Sequence, residues 1–180
     1  MNNIALIGFM GTGKTSVGIS LAEGLGWDFV DTDKMIEKKT GIAIAEIFHK
    51  YGEQYFRKEE SEIVQTVSWL KQSVIATGGG VVLNEDNISC LKKWALIICL
   101  RAKPEDILDR VRCDKSRPLL AVDDPLKIIN NLLKKREPYY QCADLYIDTS
   151  EKHVENIVAE ILWQLEKRGM ANAASSNYKG

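Results

Sequence analysis

Ile4-Ala-Leu-Ile-Gly8-Phe-Met-Gly-Thr-Gly13-Lys14-Thr15 opens with a short apolar run stopped by glycine, the mark of a strand buried on both faces. Its second half has the spacing G-x-x-x-x-G-K-[ST]. The residues that follow, Val17, Leu21 and Leu25, fall at a helical period ended by Gly26. Strand, glycine loop and helix in this order form the context in which that spacing means a phosphate-binding loop. The glycines let backbone N–H groups curl around phosphate oxygens, and the helix N-terminus adds a favourable dipole. Lys14 would reach the β- and γ-phosphates and the Thr15 hydroxyl would ligate Mg²⁺. The pattern arises by chance in about one chain of this length in a hundred. With both flanking elements in place, a bare glycine-rich turn is the lesser reading.

Further along, apolar runs recur between helical stretches. Phe29-Val30 rebuilds a strand ending on Asp31. Residues 33–40 read as a helix stopped by Gly41, residues 43–51 as one stopped by Gly52, and residues 53–70 as a longer one. Val74–Thr77 is the next strand, broken by Gly78-Gly79-Gly80. A helix over 84–92, a strand over Ala95–Leu100 and a helix from Pro104 to about 113 follow. A polar loop (114–124), a helix (125–140), a strand (Leu145–Asp148) and a helix (152–168) complete the series. Five strands alternating with helices imply an α/β protein with a parallel sheet covered on both faces. Ligands of such sheets sit at the carboxyl ends of the strands. The polar motifs fall just after strand ends, so they are expected to line one crevice.

A chain of 180 residues fits one domain, expected over residues 1–168, with a flexible tail over 169–180. Lys and Arg number 24 against 25 Asp and Glu, a balance that argues against a nucleic-acid or membrane-surface binder. Cys90, Cys99, Cys113 and Cys142 are scattered without a C-x-x-C pair. Only His49 and His153 could join them, so no metal-ligand spacing can be assembled. Reduced thiols in a cytoplasmic protein are the expectation. The longest apolar stretches span seven residues, too few to cross a bilayer, and the first lacks a signal peptide's basic flank.

Four further groups invite a chemical reading, each beside a plainer one. Asp31 and Asp33, on alternate positions at a strand end, are expected to point to opposite sides, one toward a metal and one toward an acceptor. The alternative is that Asp33 caps the helix it begins. Arg57 and Glu60 share a helix face three residues apart, as an exposed ion pair also would. Gly78-Gly79-Gly80 costs conformational entropy and packs no side chain, which suits close backbone approach to a ligand, or else a flexible strand exit. Arg117, in the loop Cys113-Asp-Lys-Ser-Arg-Pro-Leu-Leu120, could close over a phosphoryl group, and Arg136 could present a planar fork to a carboxylate. Taken singly, both arginines could equally be solvated.

Together these motifs resemble shikimate kinase. The resemblance rests on Gly8-Phe-Met-Gly-x-Gly-Lys14, Asp31-x-Asp33, Phe56-Arg57-x-x-Glu60, Ala76-Thr77-Gly78-Gly79-Gly80, Arg117-Pro118-Leu119-Leu120, and Arg136 ahead of Tyr139. It covers residues 1 to about 168. It implies the three-layer P-loop NTPase fold of nucleoside monophosphate kinases: a five-stranded parallel sheet of order 2-3-1-4-5 with helices on both faces and a lid loop over about 113–124. It also implies transfer of the γ-phosphoryl group of Mg·ATP to the 3-hydroxyl of shikimate, in chorismate and aromatic amino acid biosynthesis; a monomer is the expectation. Gly11, Thr12, Gly13, Lys14, Thr15 and Ser16 would then hold the phosphates, and Thr15 and Asp31 one Mg²⁺. Arg110 would stack on adenine and Arg117 would be the lid arginine. Asp33, Arg57, Gly78, Gly79, Gly80 and Arg136 would hold shikimate, with Arg57 and Arg136 on its carboxylate, Asp33 on the attacking hydroxyl and Glu60 orienting Arg57. The implied catalytic residues are Lys14, Asp33 and Arg117.

Two departures stand out. Thr15 replaces a serine, supplying the same hydroxyl, and Thr149-Ser-Glu-Lys-His-Val154 lacks a proline common in the family's adenine loop. The rival readings are a gluconate-type or nucleoside monophosphate kinase and a non-catalytic nucleotide-binding regulator.

Overall fold

Strand β1 (Asn3–Ile7) is buried along its whole length, and its side chains alternate between two cores. Ile4 and Leu6 face a layer built from α1 (Lys14–Leu25) and α7 (Val154–Lys167), where Val17, Leu21, Ile157 and Ile161 meet them. Ala5 and Ile7 face the other way, onto Val64, Val81, Val82 and Tyr140. Strand β4 (Ala95–Arg101) repeats the pattern, with Leu96, Ile98 and Leu100 on the first side and Ala95, Ile97 and Cys99 on the second. Strands with apolar side chains buried on both faces therefore fit only a sheet with helices on both sides.

The computed structural model describes residues 3–112 and 124–170. Between β1 and β4 the chain forms β2 (Asp28–Asp31), α2 (Thr32–Thr40), α3 (Ile44–Val67), β3 (Ser73–Ala76), a 3-10 turn (Val81–Leu83) and α4 (Glu85–Trp94). After β4 come α5 (Pro104–Val111), α6 (Pro125–Tyr140), β5 (Leu145–Asp148) and α7. All strand pairings are parallel, in the order β2-β3-β1-β4-β5 expected from the family resemblance. The register sets Leu6 and Asp31 both opposite Ala76, so three strands end at one level and their following loops become neighbours. Among the described residues no helix is long and apolar enough to cross a membrane.

Helix boundaries follow their caps. Gly26, left-handed at φ 66°, ends α1. Asp124 accepts from the Lys127 N–H at 3.0 Å and Pro125 opens α6. The expected pair of helices either side of Gly52 is present: α3 is two helical segments that meet at a kink at that residue (φ 78°, ψ 176°). Gly169 and Met170, the first two residues of the expected tail, close the end of α7. Gly169 takes a left-handed φ of 68°, the Met170 N–H donates to Leu165 O, and Met170 packs against the α1/α7 core. Residues 171–180 lie outside the described residues, as do Cys113, Arg117 and nearly all of the expected lid.

Candidate active site

The loop between β1 and α1 is built on glycines that no other residue replaces cheaply. Gly11 and Gly13 sit at φ 73° and 90°, and a Cβ on Gly11 would stand 2.8 Å from Val111 Cγ1. Lys14 Nζ donates to Gly8 O and Phe9 O, both at 2.9 Å, so the ammonium is held across the loop. Thr15 and Ser16 are exposed in the first turn of α1. Thr12 is turned inward: it is buried and its hydroxyl donates to Phe9 O at 2.8 Å.

Asp31 and Asp33 diverge, but not by strand alternation, which would place residues two apart on the same face. Strand β2 ends at Asp31 and α2 starts at Thr32, so Asp33 already follows a helical path. The capping role suggested for Asp33 falls to Asp31, whose Oδ1 accepts from the Asp33 and Lys34 N–H groups. Asp31 Oδ2 accepts from the Thr15 hydroxyl at 3.0 Å. Asp33 lies instead against the glycine loop after β3, beside Gly78.

That loop is stitched to its neighbours. Thr77 donates to Leu6 O through its hydroxyl at 3.0 Å, and the Gly78 N–H donates to the Thr32 hydroxyl at 3.1 Å. Gly79 O accepts from Arg136 Nη1 at 3.2 Å and from the Tyr140 hydroxyl at 3.3 Å. The Arg136 guanidinium also sits over the Phe9 ring, 5.4 Å from its centroid. Among the described residues it meets no carboxylate at ion-pair distance, which leaves its charge available to an anionic ligand.

Arg57 is held on both sides. Nη1 donates to Glu60 Oε2 at 2.8 Å, while Nε and Nη2 donate to Glu53 Oε1 at 3.2 and 3.1 Å. The Glu60 side chain is 1% exposed and Arg57's 24%, so this is a half-sheltered clamp and not the exposed pair considered from sequence. Burial pushes the Glu60 carboxyl up from its ordinary value, against the pull of Arg57 and Arg136. Burial also raises the Tyr140 phenol, to about 12, keeping it a neutral donor.

Arg110 ties the phosphate loop to the exit of β5. Nη1 donates to Gly11 O and the Thr149 hydroxyl, and Nη2 to Thr149 O at 2.6 Å. The edge of the guanidinium is thereby engaged in the plane, the arrangement under which a face can stack on a base. Phe9, Glu53 and Tyr140 are not singled out by the sequence, and Thr149 is named there only as the start of the adenine loop. Glu53 and Tyr140 stand four residues from Arg57 and Arg136 on their helices, a legible spacing; Thr149 directly follows β5, a strand end, while nothing local marks the role of Phe9.

The chain has known counterparts. The shikimate kinase family model matches residues 10–166. The shikimate kinase of Caldanaerobacter subterraneus subsp. tengcongensis is 54% identical over 162 residues, covering 90% of this chain and 95% of that one. The solved shikimate kinase of Acinetobacter baumannii, in complex with shikimate, superposes with a TM-score of 0.89 at 39% identity, covering 93% of this chain and 94% of that one. A gluconokinase from Sinorhizobium meliloti, at 14% identity and a TM-score of 0.55 over 93% of each chain, shares the fold alone.

Proposed function

Because the chain belongs to the shikimate kinase family, we propose that it transfers the γ-phosphoryl group of ATP to the 3-hydroxyl of shikimate, giving ADP and 3-phosphoshikimate. The observation that carries this reading is the convergence of two arginines on one cleft beside the phosphate loop. Arg57 is fixed by Glu53 and Glu60, and Arg136 by Gly79 O and the Phe9 ring. Two planar guanidinium groups suit the carboxylate of a compact acid better than a sugar or a base.

The Thr15 hydroxyl and the Asp31 carboxylate supply hard oxygen donors 3.0 Å apart. That set fits Mg²⁺, which takes its remaining oxygens from phosphates and water. Bound there, it would offset charge on the β- and γ-phosphate oxygens. Thr15 and Asp31 would hold it, the latter through water.

Phosphoryl transfer asks the protein for alignment and charge compensation. The loop amides and Lys14 meet the phosphate oxygens. Asp33 accepts a hydrogen bond from the attacking hydroxyl and takes its proton as the new P–O bond forms and the bond to the β-phosphate oxygen breaks. Arg57 and Arg136 fix the acid so that this hydroxyl points at the γ-phosphorus. Arg117 is proposed as the arginine that closes over the phosphates.

The test is ADP release by purified protein with Mg·ATP, with and without shikimate, and mass detection of the product. Release that requires shikimate, with one phosphoryl group gained, supports the reading. ATP binding without shikimate-dependent release overturns it, and a panel of gluconate-like and nucleotide acceptors then separates another kinase from a non-catalytic regulator.

A further inference from the structure

Gly8, Gly11, Gly13, Gly26, Gly41, Gly52 and Gly169 take positive φ; Gly78, Gly79 and Gly80 do not. None of the three positions after β3 therefore needs glycine for a left-handed φ. What sets them apart is the space a side chain would enter. A Cβ on Gly78 would stand 2.7 Å from Asp33 Oδ1 and 2.9 Å from Glu60 Oε1. A Cβ on Gly80 would stand 2.5 Å from Arg57 Nη2 and 2.7 Å from its Cζ. A Cβ on Gly79 would meet nothing closer than Met10 N at 3.5 Å, with Arg136 Nη1 at 3.8 Å, which is ordinary contact. Exposure follows the same division, since Gly78 and Gly80 are buried and Gly79 is partly open.

We propose that Gly78 and Gly80 are positioning residues: the space left by their missing side chains seats Asp33 with Glu60, and Arg57, in their working positions, whereas Gly79 alone keeps its side-chain space open to the acceptor. The proposal deepens the functional reading above and rests on it. It assigns the triplet two different jobs, where sequence suggested only close approach to a ligand. At both positioning glycines the atoms in the way are the far ends of flexible side chains. At Gly18, by contrast, a Cβ would stand 2.5 Å from the ring of Phe29, which is partly buried and packed against the α1/α7 core. Substitution at Gly78 or Gly80 thus displaces a functional group and leaves the fold intact, whereas substitution at Gly18 strikes the packing itself.

The experiment is a double-mutant cycle on Gly80 and Arg57, because only coupled residues fail to add. Gly80→Ala is expected to raise the KM for shikimate about tenfold, as loss of one charge-assisted hydrogen bond would, with the KM for ATP within about twofold of wild type. In an Arg57→Ala background the same substitution is expected to add less than about twofold, since its methyl no longer meets a guanidinium. Gly79→Ala serves as the contrast, its effect persisting in that background. A full tenfold loss from Gly80→Ala without Arg57, or a wild-type KM in the single variant, overturns the proposal. Should Gly80→Ala fail to fold, the double variant must fold, and its failure overturns the proposal as well. If the wild-type protein shows no shikimate-dependent turnover, the functional reading fails by itself. The positioning claim is then decided by a crystal structure of Gly80→Ala: Arg57 leaves Glu60 if the claim holds, and an unmoved Arg57 overturns it.

Discussion

The Thr15 hydroxyl donates to Asp31 Oδ2 at 3.0 Å, while the other oxygen of that carboxylate accepts the Asp33 and Lys34 N–H groups at the start of α2. One side chain thus joins the first turn of α1 to the exit of β2 and also caps a helix. The cap considered from sequence for Asp33 is thus formed by Asp31, the same aspartate that is proposed to serve Mg²⁺.

The two duties of Asp31 separate by substitution. Asparagine keeps an oxygen for the cap but loses the charge; alanine loses both. Asp31→Asn is expected to raise the Mg²⁺ concentration for half-maximal turnover by about tenfold or more, with little change in melting temperature. Asp31→Ala is expected to show the same Mg²⁺ defect and a further loss of about 1 kcal/mol of stability. Mg²⁺ titration of ADP release and a melting curve check the pair; equal melting temperatures for the two variants would remove the cap from the account.

Arg136 has no carboxylate partner among the described residues, and its position is set by Gly79 O and the Phe9 ring. Its removal therefore leaves no buried charge behind, and the loss should appear in acceptor binding. Arg136→Ala is expected to raise the KM for shikimate about 10- to 100-fold with kcat less affected. Arg136→Lys should recover little, because an ammonium lacks the planar fork. Initial rates against shikimate concentration decide this. Normal saturation in the alanine variant would withdraw Arg136 from the carboxylate.

Thr149 is fully buried and sits where three segments meet. Its hydroxyl accepts from Arg110 Nη1 at 3.0 Å and lies 3.2 Å from Thr12 O and 3.0 Å from Arg101 O. Valine keeps the shape but strips the acceptor from Arg110 and the donor from the carbonyls. Thr149→Val is expected to cost about 1–3 kcal/mol of stability and to raise the KM for ATP, as Arg110 loosens, while the KM for shikimate holds. Denaturant unfolding and kinetics with each substrate varied in turn test this. An unchanged KM for ATP would detach Arg110 from the nucleotide.

Local chemistry made much of this legible. Strand β1, helix α1 and helix α6 could be bounded from sequence because a glycine, a proline or a capping aspartate marks their ends within the chain itself. Strand order could not be, since five apolar strands of similar composition fit several orders; the order came only from family resemblance. The same divide runs through the site. The phosphate loop is contiguous and was read whole. Arg136 to Gly79 spans 57 residues and Arg110 to Thr149 spans 39, so such pairings exist only once β3, β1, β4 and β5 lie side by side. Phe9 shows the limit best, since a buried phenylalanine carries no local sign that an arginine will lie over its ring.

Glu60 offers a pH signature of the acceptor clamp. Its side chain is 1% exposed, and burial raises its carboxyl above 4.5 despite Arg57 at 2.8 Å. Between 4.5 and the raised value the native state binds more protons than the unfolded chain. The stability linked to Glu60 is therefore fully present below 4.5 and is lost as pH rises through the raised value. Glu60→Gln cannot titrate, so its melting temperature relative to wild type should climb as pH is raised from about 4 to about 7. Function should move the other way, because Arg57 loses one of its two carboxylate partners and the KM for shikimate rises at neutral pH. Melting curves at several pH values, set beside KM at pH 7, test both trends. Parallel melting profiles would mean that Glu60 titrates as an exposed carboxylate does, and an unchanged KM would mean that Glu53 alone holds Arg57 in place.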